Sequence, residues 1–267
     1  ECVMSKQAAI GVFDSGLGGI SVLHEIRRVL PYESLIYIAD SAHVPYGEKT
    51  PEFIVQRSIA ISQFLLEQPV KAIVVACNTA TAAAVTQMRQ RWPEVIIVGM
   101  EPAVKPAVQA SKIGKSGDLA TTGTLRSARF AALLERYAND VEVLTQPCPG
   151  LVELIEAGDL DGAQTSALLA GYVEPLLAAG CDTLILGCTH YPLIKPLLQS
   201  LVPASVQIID TGAAVARRLH SELAKQDLLA AEQHPVDYFY GSGDVQKIQQ
   251  TLGLLWPIPH PVAALEF

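Results

Sequence analysis

Positive charge is scarce in this chain. Nineteen lysines and arginines stand against 27 aspartates and glutamates, giving a formal charge of −8, and no basic cluster interrupts that balance. Nucleic acid and anionic membrane surfaces are therefore poor partners, although local donors still permit a small anionic ligand. Long apolar runs are missing too: none approaches the ~20 residues that span a bilayer. The segment 1–9 has neither a long apolar core nor a basic flank followed by a cleavage site, so export is not expected. Cysteines are few, at 2, 77, 148, 181 and 188, and none shows Cys-x-x-Cys spacing. An odd number so placed disfavours a disulfide framework and a zinc site, and a reducing cytoplasm is the expected setting.

What is present suits a folded α/β chain. At 267 residues, 50% of them hydrophobic and 17% charged, it can bury a substantial core in one large domain or two smaller ones. The pattern predicts strands over 8–13, 35–39, 72–76, 95–98, 118–120, 141–145, 183–186, 206–209 and 236–240. Helices are predicted over 21–30, 51–67, 79–91, 126–138, 161–179, 192–201, 213–224 and 246–255, with a short helical turn at 150–157. Such alternation points to mostly parallel sheets.

Asp14 ends the first predicted strand, and Ser15-Gly16-Leu17-Gly18-Gly19 leads into the first helix. Ser21 stands where a dinucleotide loop has its third glycine, and no Gly-Lys-Ser/Thr follows, so neither nucleotide fingerprint is complete. What remains is a tight turn whose backbone N–H groups suit a carboxylate, while Asp14 and Ser15 serve equally well as helix caps. The loop at 40–48 carries Tyr46 and Gly47, candidates for ligand contact because loops after strands carry function more often than the strands do.

Two cysteines end short apolar runs in matching contexts, Ala76-Cys77-Asn78-Thr79 and Gly187-Cys188-Thr189-His190. Each precedes a predicted helix, a proline, another strand and then an acid, Glu101 or Asp210. If two such halves face each other with the carboxyl ends of their strands opposed, both thiols reach one cleft. A helix start stabilises thiolate and lowers a thiol pKa from ~8.5. That context separates Cys77 and Cys188 from Cys148, Cys181 and Cys2, which read as small hydrophobes.

Three uses suit the pair: one nucleophile with His190 as its base, a redox couple, or a two-base proton shuttle. The shuttle needs each sulfur about 3–3.5 Å from one carbon, on opposite faces. It therefore needs the sulfurs farther apart than a disulfide allows. One must be thiolate while the other is thiol, with Asp14 a candidate partner for Cys77 and His190 for Cys188. His190 fits a helix-cap or core role as well. No lysine marks a Schiff base, so a pyridoxal cofactor is not required.

The segments Gly11-Val-Phe-Asp14-Ser15-Gly-Leu-Gly-Gly19, Val44-Pro45-Tyr46-Gly47, Ala76-Cys77-Asn78-Thr79, Ala120-Thr121-Thr122-Gly123-Thr124 and Leu186-Gly-Cys188-Thr189-His190-Tyr-Pro192 together resemble the glutamate racemases of the aspartate/glutamate racemase family. These are cofactor-independent enzymes that make D-glutamate for bacterial peptidoglycan, and the match runs in order over almost the whole chain. The resemblance implies two pseudo-symmetric α/β domains, each a mostly parallel sheet flanked by helices, with the active site between them. Residues 1–100 with 211–267 would form the first domain and 101–210 the second.

The resemblance further implies that Cys77 acts on the D-enantiomer and Cys188 on the L-enantiomer, assisted by Asp14, His190 and Glu156. Glu156 matches an acidic position sometimes given an assisting role, whereas Glu153 falls where many relatives have proline. Ser15, Pro45, Tyr46, Gly47, Asn78, Thr79, Thr121 and Thr189 would hold the substrate, with Asp14, Cys77, Cys188 and His190 also in contact. No metal and no cofactor are implied. A nucleotide-sugar cell-wall precursor as activator and a homodimer as assembly are both admitted and neither is fixed. Aspartate racemase is the nearest rival, and a dithiol redox protein is the rival of another class.

Overall fold

Apolar runs bounded by polar turns become ten strands among the residues that the computed structural model describes, 5–258 and 260–267. Cys2 lies outside them. The strands are β1 (Ala9–Asp14), β2 (Leu35–Ala39), β3 (Val70–Val75), β4 (Ile96–Val98), β5 (Lys115–Ala120), β6 (Glu142–Pro147), β7 (Thr183–Leu186), β8 (Gln207–Ile209), β9 (Asp237–Gly241) and β10 (Val262–Ala264). The helices are α1 (Ile20–Val29), α2 (Pro51–Glu67), α3 (Asn78–Arg91), α4 (Val104–Ala110), α5 (Thr122–Leu125), α6 (Ala128–Tyr137), α7 (Leu151–Glu156), α8 (Ala163–Ala178), α9 (Lys195–Leu201), α10 (Gly212–Lys225) and α11 (Val245–Leu255).

All pairings are parallel and fall into two sheets, ordered β10-β9-β2-β1-β3-β4 and β6-β5-β7-β8. Parallel strands need helices across both faces, which is why their sequences read as near-continuous apolar runs. β2 and β3 are buried along their whole length, and β1 is buried from Ile10 onward. Alternate side chains feed opposite layers. Ile10, Val12, Tyr37 and Val74 pack on one face, beneath α1 and α10, while Phe13, Ile38, Ile73 and Val75 pack on the other, beneath α2 and α3. In the four-stranded sheet the central strands β5 and β7 are buried, with Leu119, Leu184 and Leu186 on one face and Ile185 on the other, while the edge strands β6 and β8 are half-buried or exposed.

The shared strand order 2-1-3-4 and 6-5-7-8 decides where a ligand belongs. In each sheet the chain steps to one side after its first strand and then returns to the other side. A crevice opens at the carboxyl ends where that direction reverses. In the six-stranded sheet the reversal lies between β1 and β3, whose ends deliver Asp14 and Cys77. In the four-stranded sheet it lies between β5 and β7, whose ends deliver Thr121 and Cys188.

Some elements differ from the sequence expectation. α4 and β10 are additional, the polar turn expected before residue 126 contains the short helix α5, and the helix expected over 126–138 begins at Ala128, because Ser127 caps it by accepting from Phe130 N at 3.1 Å. The helix expected from Pro192 begins only at Lys195, after a 3-10 turn over Tyr191–Ile194. Cys188 therefore does not stand at the α-helix N-terminus expected for it.

Candidate active site

Cys77 ends the apolar run of β3 and caps α3, its Sγ accepting from Ala80 N at 3.3 Å. The helix start lowers its pKa as expected, yet burial raises it and the Asp14 carboxylate raises it further, so the net direction is well above an ordinary thiol. Cys77 thus rests protonated. Cys188 has a different neighbour, because the turn after β7 folds His190 back until Nδ1 lies 3.8 Å from Sγ.

His190 is the centre of the polar cluster. Its Nε2 lies 2.5 Å from Glu156 Oε1, and Nδ1 lies 4.0 Å from Asp14 Oδ2. Burial alone would lower the imidazole pKa, but Cys188, Glu156 and Asp14 together carry it well above its ordinary value. Asp14 is wholly buried and shifts upward, since desolvation and the Glu156 charge outweigh His190 and the N–H groups of Gly19 and Ser15.

The glycine turn after β1 wraps this cluster. A Cβ on Gly18 would sit 2.2 Å from His190 Nδ1, and one on Gly16 2.2 Å from Glu156 Oε1, so no larger residue fits at either position. Leu17 N donates to Glu156 Oε1 at 2.6 Å, and Gly19 N donates to Asp14 Oδ2 at 3.0 Å. The turn does bind carboxylates, as its exposed N–H groups suggest, but these two belong to the protein itself.

One cavity gathers Asp14, Ser15, Pro45, Tyr46, Gly47, Cys77, Asn78, Thr79, Thr121, Cys188, Thr189 and His190, all expected from the sequence, together with Val152, which was not. An isolated valine gives no sequence signal. Glu156 stands one step back, reaching the cavity through His190. Both cysteines are free thiols and are 5% and 7% exposed. Neither amide atom of Asn78 has a partner among the described residues, so this buried side chain is available to a ligand. No lysine or arginine lines the cavity.

The cavity is shut. It holds only about 10 Å³, roughly one water. Thr79 Oγ1 lies 2.7 Å from Thr121 Oγ1 and 3.1 Å from Thr124 Oγ1, and Ser21 Oγ donates to Thr189 O at 2.8 Å.

Known proteins are similar to this chain in sequence and in fold. The Asp/Glu/hydantoin racemase family matches residues 10–219. A glutamate racemase of Ectopseudomonas mendocina is 63% identical over 250 residues, 94% of this chain and 95% of its own.

This chain belongs to the Asp/Glu/hydantoin racemase family.

It is accordingly an isomerase of the racemase class. Solved racemases share its fold: a glutamate racemase isoform from Bacillus anthracis superposes with a TM-score of 0.89 at 32% identity, over 98% of both chains. The Escherichia coli glutamate racemase, solved with L-glutamate and the activator UDP-MurNAc-Ala, superposes with a TM-score of 0.85 at 32% identity over 97% of both.

Proposed function

We propose that this chain interconverts L- and D-glutamate by passing the α-proton between Cys77 and Cys188, supplying D-glutamate for peptidoglycan in the cytoplasm. The observation that carries the reading is that the two thiols reach one cavity from the switch points of opposing sheets. With L-glutamate bound, Cys188 as thiolate takes the α-proton, and the Cys77 thiol donates its own to the opposite face. The product form, with Cys77 as thiolate and Cys188 as thiol, is the form that the reverse reaction needs. His190, held between Cys188 and Glu156, supports charge on the Cys188 side, while the Asp14 carboxylate favours the protonated form of Cys77 and so keeps that thiol a proton donor.

Substrate recognition follows from the cavity's donors. Ser15, Thr79, Thr121 and Thr189 offer hydroxyls and Asn78 an unpaired amide, so two carboxylates are held without an arginine. Admission requires residues 1–100 and 211–267 to move away from 101–210, breaking the Thr79–Thr121 contact. Activation by a nucleotide-sugar cell-wall precursor belongs to the same reading, supported by the activator bound to the Escherichia coli relative.

Incubation with L-glutamate in deuterated water, without added cofactor, tests the proposal. Racemisation with deuterium entering the α-position is expected, and Cys77→Ser and Cys188→Ser should each lose about 10²–10⁴-fold in rate. Undiminished activity in both variants would overturn the mechanism. Inversion of aspartate with none of glutamate would overturn the substrate.

A further inference from the structure

Tyr46 lines the cavity and packs in the same apolar layer as Cys77, yet its phenol is already engaged. It donates to Asp40 Oδ2 at 2.5 Å, and a phenol has one proton to give. Burial and the Asp40 charge both push the phenol pKa up, so it stays a neutral donor fixed on that carboxylate. What Tyr46 presents to a ligand is its ring and the backbone of the loop.

Asp40 in turn is saturated. It follows β2 and is wholly buried, and its oxygens accept from Tyr46 in its own loop and from two other segments. Arg57 on α2 donates in a fork, Nη2 to Oδ1 at 2.7 Å and Nε to Oδ2 at 2.9 Å. Ser242, just past β9, donates through Oγ to Oδ1 at 2.7 Å and accepts from Ala42 N at 3.0 Å. Burial would raise the Asp40 pKa, but Arg57, Tyr46 and Ser242 together hold it below the ordinary carboxylate value. A buried carboxylate with four well-placed donors is a rigid anchor.

We infer that Asp40, Arg57 and Ser242 are positioning residues for the Cys77 half of the reaction, setting the wall beside that thiol by clamping the Tyr46 phenol. The inference rests on the two-thiol reading above. A shift of about 1 Å in a group lining a reacting centre can cost 10²-fold, so a clamp one bond removed from the cavity has kinetic weight. It bears on one thiol, because Tyr46 and Cys77 share a layer of the six-stranded sheet while Cys188 packs against the other sheet.

The test uses R57K, Y46F and the double variant, with kcat/KM and α-deuterium isotope effects measured on 2-deuterio-D-glutamate and 2-deuterio-L-glutamate. Lysine keeps the charge of Arg57 but not its fork. Each single change should lower kcat/KM by about tenfold. The double should fall no further than the worse single, since both cut one linkage. The isotope effect should rise with D-glutamate, whose proton Cys77 removes, and fall with L-glutamate. S242A should show the same pattern more weakly and S242T should restore it, giving a second route should R57K fold poorly.

Additive losses in the double variant, or isotope effects that move together in both directions, overturn the inference while an active wild type leaves the racemase reading standing. A wild type that does not racemise glutamate overturns both.

Discussion

A carboxyl group sits in the apolar layer of the four-stranded sheet with nothing to hold it. Asp118 lies on β5 in register with Ile185, is wholly buried, and has no hydrogen-bond partner for either oxygen among the described residues. Burial pushes its pKa up to about 8. The folded chain therefore keeps this proton while the unfolded chain loses it at the ordinary ~3.9, so stability is full at low pH and drains away as pH rises toward 8. Asp118→Asn removes the charge and keeps the shape. Its melting temperature should match the wild type most nearly at about pH 5 and exceed it by several degrees at about pH 8. A gap that does not widen with pH would show that the carboxyl finds a partner. At this scale the two cysteines, Asp14 and the threonines were legible, because each follows directly on an apolar run. The Asp40 clamp was not: Arg57 and Ser242 come from remote segments, and no spacing ties them to Tyr46.

Among elements, a charged residue inside a strand is the informative case. The predicted strand at 72–76 leaves Lys71 out, because an unpaired ammonium has no place in a core. β3 nonetheless begins at Val70, and Lys71 is fully buried with Nζ 2.5 Å from Glu33 Oε2 and donating to the carbonyls of Lys6 and Leu228 at 2.5 and 2.8 Å. Ala230 N donates to Glu33 Oε1 at 2.8 Å, so one ion pair ties β3 to the turn before β2 and to the segment after α10. Breaking such a pair strands a charge. Glu33→Gln should cost about 3–5 kcal/mol, read as a lower denaturation midpoint in urea at unchanged slope. The same blindness to partners hid α4, where Pro106 discourages a helix reading although proline is tolerated in a first turn. It also misplaced the helix after Cys188, since Pro192 lies inside a 3-10 turn that opens at Tyr191.

At the scale of the molecule, the closed cleft depends on backbones that touch across it. A Cβ on Gly47 would lie 2.6 Å from Thr121 Cβ, inside any tolerable contact. Gly47→Ala should leave both sheets folded but hold them apart. We expect kcat/KM to drop by roughly tenfold or more, with little change in melting temperature and a larger radius of gyration in solution scattering. Full activity in this variant would mean that the shut arrangement is not the working one. The alternation of short apolar runs and amphipathic helices made the α/β class and the paired thiols readable from sequence. Periodicity cannot show which strands share a sheet, and so it gave no sign that β9, far along the chain, pairs with β2 and carries β10 on its outer side.

That remote pairing orders events during synthesis. Every strand of the four-stranded sheet lies within residues 115–209, whereas the six-stranded sheet waits for 237–264 to supply β9 and β10. A ribosome therefore releases the later-encoded half of the cleft as a complete sheet while the half begun first still shows an uncovered edge at β2. Until translation reaches the last strands, the nascent protein carries its hazard for misassembly at its oldest end.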